Sequence, residues 1–159
     1  KRSKEECERA KKSHIPSIES LFDTDITADE MKRWKPILEK VLKNTLVFSR
    51  QGKVFWKRPR PFEKDENVKP CVDLIFSPAY PSGHATIGRT LSKVLAKLDP
   101  SRSKQFLDRG LQIGEDRVLS GMHHPTDVEA GRVLGDRVFD ELMKSDQFKK
   151  DLAEATGKK

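Results

Sequence analysis

Two histidines, one carboxylate and three cationic side chains carry the chemistry legible in this chain. His123 sits in "DRVLSGMHHPTD", residues 116–127, with Asp127 four positions on. A carboxylate so placed accepts from one ring nitrogen, fixes the tautomer and leaves the lone pair of the other nitrogen free to attack. The same pair would also serve as a plain helix cap. His84 ends "PSGH", residues 81–84, directly before a helical run. Ser82 suits an N-cap, and the unpaired amides of the first turn, with the helix dipole, favour an anion there. Gly83 lets a ligand come close to the backbone, which sets His84 beside the anion. Lys53 and Arg60 lie in "RQGKVFWKRPRPFEK", residues 50–64, whose first eleven residues hold five cations and no carboxylate. Pro59 and Pro61 stiffen the backbone around Arg60, so that its guanidinium can offer two parallel donors to phosphate oxygens. Lys57 and Arg58 qualify on the same grounds. Arg117 supplies a further fork of donors.

Each cluster alone has a plainer reading: a solvated basic loop, a proline-started helix with a surface histidine, a capped helix. Together they form one device. Cations and amides hold a phosphate dianion, a neutral imidazole attacks phosphorus, and a protonated imidazole gives its proton to the leaving oxygen. Positioning and charge stabilisation are what phosphoryl transfer chiefly needs. His124 is expected to point elsewhere, as a surface residue or one acting behind His123. No Asp/Glu/His cluster has metal-ligand spacing, so neither a metal nor another cofactor is expected.

Segments 70 residues apart must be brought together by helices. "TADE" at 27–30 is a capping box, followed by apolar residues at Met31, Trp34, Leu38, Val41, Leu42 and Leu46 in helical spacing. Pro36 either kinks this helix or opens a second one. The stretch 58–81 holds Pro59, Pro61, Pro70, Pro78 and Pro81 and reads as a long functional loop. Ile87, Leu91, Val94, Leu95 and Leu98 mark the next helix, ended by Asp99-Pro100. Phe106, Leu107, Leu111 and Val118 mark another, broken at 121–125. Pro125 opens a helix with Val128, Gly131, Leu134, Val138 and Leu142 on one face, and Ser145 with Asp146 caps a short last one. Residues 1–13 carry almost no apolar face and read as a solvated helix or a frayed arm. With no convincing strand and no repeat, the class is all-α: a compact single-domain helical bundle over 27–155, with 1–26 as a basic arm or peripheral helix.

The chain has 159 residues, enough for one domain with a real core. Thirty-two Lys and Arg against 25 Asp and Glu give a net charge of +7, which favours acidic or phosphorylated partners without selecting one. No apolar run reaches the roughly 18 residues of a membrane span. The chain begins at Lys1 without Met or a signal peptide and reads as a mature or trimmed form. Cys7 and Cys71 fit no metal pattern; one disulfide and two free buried thiols are both open.

The spacing of these residues resembles the three signature motifs of the phosphatidic-acid-phosphatase and vanadium-haloperoxidase superfamily. Lys53 precedes Arg60-Pro61 by six intervening residues, "PSGH" follows, and then come Arg117, His123 and Asp127. "RPRPF", Cys71, "AYPSGHATIG" and "DRGLQIGEDRVLSGMHHPTDVEAGRVLG" look like class A bacterial non-specific acid phosphatases. The resemblance implies an all-α bundle and a periplasmic or secreted location. It also implies a metal-independent phosphomonoesterase: His123 as the nucleophile that passes through a phosphohistidine, His84 as general acid and Asp127 orienting His123. Lys53, Arg60, Ser82, Gly83 and Arg117 would hold the phosphate oxygens. Small phosphate esters are the implied substrates, with phosphate or vanadate as inhibitors. Two departures stand out. Asp116 replaces the family's usual Ser, where it would pair with Arg117 or aim it. "HHPTD" replaces the usual His-Trp-Gln-Ser-Asp. The first 45 residues match nothing in that pattern.

Three alternatives remain beside this expectation. A phosphatase of lipid phosphates or isoprenoid pyrophosphates at a membrane surface fits the basic arm and Trp56, through peripheral contact only. A haloperoxidase fits poorly because the chain is short. A non-catalytic basic module that binds anions or nucleic acid fits residues 50–60 but gives His123 and Asp127 no task, so no nucleic-acid partner is expected. An oligomer is compatible with all of them.

Overall fold

The computed structural model describes residues 2–22 and 25–157. Helix α1 (Lys4–Lys12) starts at Ser3, whose hydroxyl accepts from the Glu6 amide while the Glu6 carboxylate accepts from the Ser3 amide. A short α2 (Ile18–Phe22) follows. Helix α3 (Ala28–Trp56) begins with the expected capping box, Thr27 with Glu30, and runs through Pro36 as one helix of 29 residues. Pro36 therefore opens no second helix. The proline-rich stretch that follows is mostly irregular but contains a four-residue helix, α4 (Pro61–Lys64), with Pro61 in its first turn. Helix α5 (Gly83–Leu98) starts at the Ser82 cap and ends before Pro100, which opens a 3-10 turn leading into α6 (Ser103–Leu119). Helix α7 (Pro125–Leu142) and α8 (Asp146–Ala155), capped by Ser145, complete the order. No strand occurs among the described residues, so the fold is all-α.

Helix α5 is the axis. Ile87, Leu91, Val94 and Leu95 are fully buried, as their spacing predicts. Around them pack Trp34, Leu38 and Val41 of α3, Phe106 and Ile113 of α6, Phe139 of α7, and Phe148 and Leu152 of α8. Burying each such side chain contributes about 1.5–3 kcal/mol before entropy is counted. Helix α6 buries only one of the four apolar residues that mark it, Phe106. Leu107, Leu111 and Val118 are half-exposed, whereas Phe106, Gly110, Ile113, Gly114, Asp116 and Arg117 are buried.

Glycines let the helices that carry the motifs approach closely. A Cβ on Gly131 of α7 would stand 2.6 Å from the Ser82 carbonyl oxygen and 2.9 Å from Cβ of Ala85. A Cβ on Gly88 of α5 would stand 2.9 Å from the Gly110 carbonyl oxygen of α6. The start of α5 is thereby pressed against the first turns of α7.

The N-terminal segment is not a frayed arm. Ala10, Ile18, Leu21 and Phe22 are buried, and α1 lies along α6. A disulfide joins Cys7 of α1 to Cys71 of the long loop, which settles the open question about the two thiols.

Candidate active site

Backbone hydrogen bonds tie the three motifs together before any side chain is considered. The Ser82 amide donates to the Asp127 carbonyl across 2.9 Å, which joins the N-terminus of α5 to the first turn of α7. The amides of Met122 and His123 both donate to the Arg117 carbonyl, closing the turn between α6 and α7. From the long loop, Arg60 donates through Nη1 to the Met122 carbonyl at 3.0 Å. Residues 60, 82, 117, 123 and 127 therefore share one neighbourhood, and all five are buried.

Within it, His123 has a defined tautomer. Its Nε2 lies 2.9 Å from Nη1 of Arg60. A guanidinium donates and never accepts, so Nε2 carries the lone pair and the proton resides on Nδ1. Nδ1 faces Oδ2 of Asp127 at 3.4 Å. Burial, opposed by the Asp127 hydrogen bond and reinforced by the charges of Arg60 and Lys53, depresses the His123 pKa to about 4. The ring is neutral through most of the acid range. Burial on its own would raise Asp127, but donors outweigh it and hold the carboxylate at about 2. These donors are His123 and both the amide and the ring Nδ1 of His124, at 2.8 and 3.0 Å, and Arg58 adds a 2.8 Å ion pair on Oδ1.

His84 is held from the other side. Its Nε2 lies 3.0 Å from each of the Ser13 and His14 carbonyl oxygens. Carbonyls only accept, so Nε2 bears a proton, and Nδ1 has no protein partner among the described residues. Burial, then the charges of Arg117 and His123, push the pKa of His84 well below its ordinary value. Arg117 is 1% exposed and donates through Nη2 to the Ala10 carbonyl and to Oγ of Ser13. Burial lowers its pKa to about 10, which leaves it charged. Its Nε is buried with no partner among the described residues, a donor in need of an acceptor.

Lys53 and the head of α5 border the same region. Nζ of Lys53 donates to the Pro78 and Ala79 carbonyls, and burial together with the charge of Arg60 lowers its pKa to about 7. Ser82 caps α5 by accepting from the Ala85 amide at 3.3 Å, leaving its own hydroxyl proton free to donate. The Gly83 and His84 amides fall within the first turn, where no intrahelical acceptor exists. Among the described residues no three His, Cys, Asp or Glu side chains converge as a metal site.

The structure thus brings Lys53, Arg60, Ser82, Gly83, His84, Arg117, His123 and Asp127 into one region, and it corrects three expectations. Asp116 does not pair with Arg117. It is fully buried and takes a two-pronged bond from Arg9, with Nε and Nη2 at 2.9 and 2.7 Å from Oδ1. His124 does not point away but shares Oδ2 of Asp127. Arg58, which sequence reasoning could not tell from Lys57 as a phosphate ligand, is turned onto Thr126 and Asp127 instead. Sequence reasoning also missed the carbonyls of Ala10, Ser13 and His14, because backbone acceptors leave no mark on residue type. The one available signal was the Cys7–Cys71 pairing, which places the N-terminal helix beside the loop that follows Arg60.

A sequence profile described as the PAP2 superfamily matches residues 37–146. The chain is 31% identical over 153 residues to the non-specific acid phosphatase of Salmonella typhimurium, covering 87% of this chain and 59% of that protein. The non-specific acid phosphatase of Providencia stuartii is 31% identical over 129 residues, covering 76% of this chain and 52% of its own length. The acid phosphatase of Zymomonas mobilis is 34% identical over 101 residues, covering 61% and 38%. The chain spans about half the length of the curated relatives it matches. With 87% of the chain aligned, the likeness extends into the N-terminal 45 residues that sequence reading alone left unplaced. The profile covers all three motifs and more than half of the chain, and the chain belongs to the PAP2 superfamily.

Proposed function

We propose that this chain hydrolyses phosphate monoesters through a phosphohistidine on His123, without a metal. Lys53, Arg60, Arg117, the Ser82 hydroxyl and the Gly83 amide hold the phosphoryl oxygens. The Nε2 lone pair of His123 attacks phosphorus, and the phosphorus–oxygen bond to the leaving group breaks. The departing oxygen takes a proton from His84, carried on Nδ1 because the Nε2 proton is engaged by two carbonyls. Water then attacks phosphorus and gives a proton to the now neutral His84, and the phosphorus–nitrogen bond breaks to restore His123. Asp127 steadies the Nδ1 proton throughout.

One observation carries this reading: the tautomer of His123. A buried, unprotonated Nε2 that accepts from Arg60, with Nδ1–H on a carboxylate, is the tautomer an attacking imidazole requires. The names of the relatives, acid phosphatases, support the same reaction class. An oxidising compartment, periplasmic or extracellular, suits the Cys7–Cys71 disulfide, and no helix among the described residues is long and apolar enough to cross a membrane.

The test is a panel of soluble phosphate esters, pyrophosphates and lipid phosphates assayed from pH 4 to 8, with and without EDTA, followed by alkaline quench and mass spectrometry of the labelled peptide. Phosphate on His123 and EDTA-insensitive turnover are expected. Turnover with phosphate on another residue, or none on any ester, refutes the proposal.

A second reading has its own observation. Val54, Phe55 and Trp56 at the end of α3 are 60–76% exposed, on a stretch, residues 40–62, with seven cations and no carboxylate. An aromatic tip ringed by Lys and Arg suits an anionic lipid surface. This favours a lipid-borne phosphate as substrate, and higher kcat/KM on phosphatidate vesicles than on soluble esters in the same panel would select it.

A further inference from the structure

Arg58 is the cation nearest the site that the proposed chemistry does not use. Its Nη1 donates to Oδ1 of Asp127 at 2.8 Å and to Oγ1 of Thr126 at 2.7 Å. Oδ2 of the same carboxylate serves three other donors, the amide and ring Nδ1 of His124 and, at a longer 3.4 Å, Nδ1 of His123. The backbone holds the arrangement in place, since the Arg58 carbonyl accepts from the Ala79 amide at 2.7 Å while Asp127 accepts from Ser82. Arg58 thus occupies Oδ1 while His123 and His124 share Oδ2, so both oxygens of the carboxylate are held by donors.

We infer that Arg58 is a positioning residue: it clamps Oδ1 of Asp127 so that Oδ2 stays aimed at Nδ1 of His123, and it tempers how strongly the carboxylate draws a proton onto that ring. The inference rests on the proposed role of His123. A carboxylate held by an arginine keeps less negative potential for its histidine, so the ring remains a neutral nucleophile at lower pH. The other groups around the pair are Lys53 from α3, Arg60 from the loop, His84 from α5, Arg117 from α6 and His124 from the turn before α7. Of these, only His124 shares the carboxylate with Arg58. Arg60 and Lys53 act on His123 itself and depress its pKa. Arg58 differs from them in reaching His123 only through Asp127.

The test compares Arg58→Gln, which removes the charge, with Arg58→Lys, which keeps it but loses the fork. Steady-state kinetics on 4-nitrophenyl phosphate and nitrogen-15 NMR titration of the His123 ring are measured on both. In Arg58→Gln, kcat is expected to fall about tenfold to a hundredfold with KM within about twofold, the scale of lost orientation. The acid limb of kcat/KM and the NMR pKa of His123 both move upward. Arg58→Lys returns the pKa toward the parent value and recovers part of kcat. A tenfold rise in KM or loss of phosphate affinity with kcat intact would make Arg58 a substrate ligand and overturn the inference. So would a lower melting temperature with unchanged kcat and unchanged His123 titration. The NMR arm needs no turnover: if the parent protein hydrolyses no ester, the function proposal fails alone, and an unmoved His123 pKa sinks the Arg58 inference by itself.

Discussion

Arg60 stands 2.9 Å from Nε2 of His123 and can only donate to it, so the lone pair proposed to attack is already turned toward a cation proposed to hold phosphate. A dianion entering the cradle takes over the Arg60 donors and leaves Nε2 against phosphorus. His123→Ala is therefore expected to abolish turnover while phosphate or vanadate binding, measured by calorimetry, weakens but persists on Lys53, Arg60 and Arg117. Asp127→Asn keeps the volume but loses the charge, and kcat should fall by orders of magnitude, up to about 10⁴, with the fold intact by circular dichroism. Full activity in His123→Ala would remove the histidine from the reaction.

On the proposed roles, the two imidazoles set the pH range of the reaction. His123 attacks only when neutral, which holds above about pH 4. His84 donates only when protonated, and in the free protein burial and the charges of Arg117 and His123 hold its pKa well below 6.5. Both pKa values are depressed, so the productive state is confined to acid pH: it is lost below about 4 as His123 takes a proton, and the His84 proton is given up on rising pH before neutrality is reached. A bound phosphoryl dianion raises His84 and widens the window in kcat relative to kcat/KM. The pH profile of kcat/KM on a soluble ester should thus be a bell on the acid side of neutrality. A profile still rising above pH 7 would take the general-acid role away from His84.

How much of this was legible in the sequence depends on what each residue touches. The eight residues proposed for the site, which the fold brings into one region, were readable because side-chain chemistry at fixed spacing survives as residue type. The face of α5 was readable because Ile87, Leu91, Val94 and Leu95 bury plain apolar surface at helical spacing. The face of α6 was not. Beside Phe106 and Ile113 it turns Gly110, Gly114, Asp116 and Arg117 inward, two residues without side chains and two charges, and counting apolar residues does not single out the buried side of such a helix. Asp116 shows the same limit: its partner Arg9 lies 107 residues away, and no local pattern connects them. The carbonyls that orient His84 and Arg117 belong to Ala10, Ser13 and His14, whose identities carry no instruction to do so.

Lys53 gives the cradle a second titration. Burial and the neighbouring Arg60 bring its pKa down to about 7, so near neutrality the free protein holds a mixture of ammonium and amine. A dianion binds the ammonium form and recaptures the proton. Sulfate stays doubly charged across this range, so its affinity reports the protein alone. Between pH 7 and 8.5 the sulfate affinity should fall, approaching about tenfold per pH unit. Lys53→Met should bind more weakly and lose most of that slope. An affinity flat from pH 6.5 to 8.5 in the parent would show that Lys53 stays charged or stands outside the anion site.

The Cys7–Cys71 disulfide couples stability to the site through α1. The two half-cystines are 64 residues apart, and closing a loop of that length in the unfolded chain is worth about 4 kcal/mol by the chain-entropy account. The bridge also pins the helix whose end supplies the Ala10, Ser13 and His14 carbonyls to Arg117 and His84. Arg9 and the fully buried Asp116 form a second pin on the same helix. Reduction alone leaves the helix docked more loosely, and Arg9→Ala alone leaves Asp116 as a buried unpaired charge; with both pins removed Arg117 and His84 lose their acceptors. Reduction by a phosphine should therefore lower the urea midpoint, and kcat should fall modestly in the parent but steeply in Arg9→Ala. Equal effects of reduction on kcat in the two proteins would mean that the pins act independently, and unchanged kcat in the reduced Arg9→Ala protein would mean that α1 does not orient the site at all.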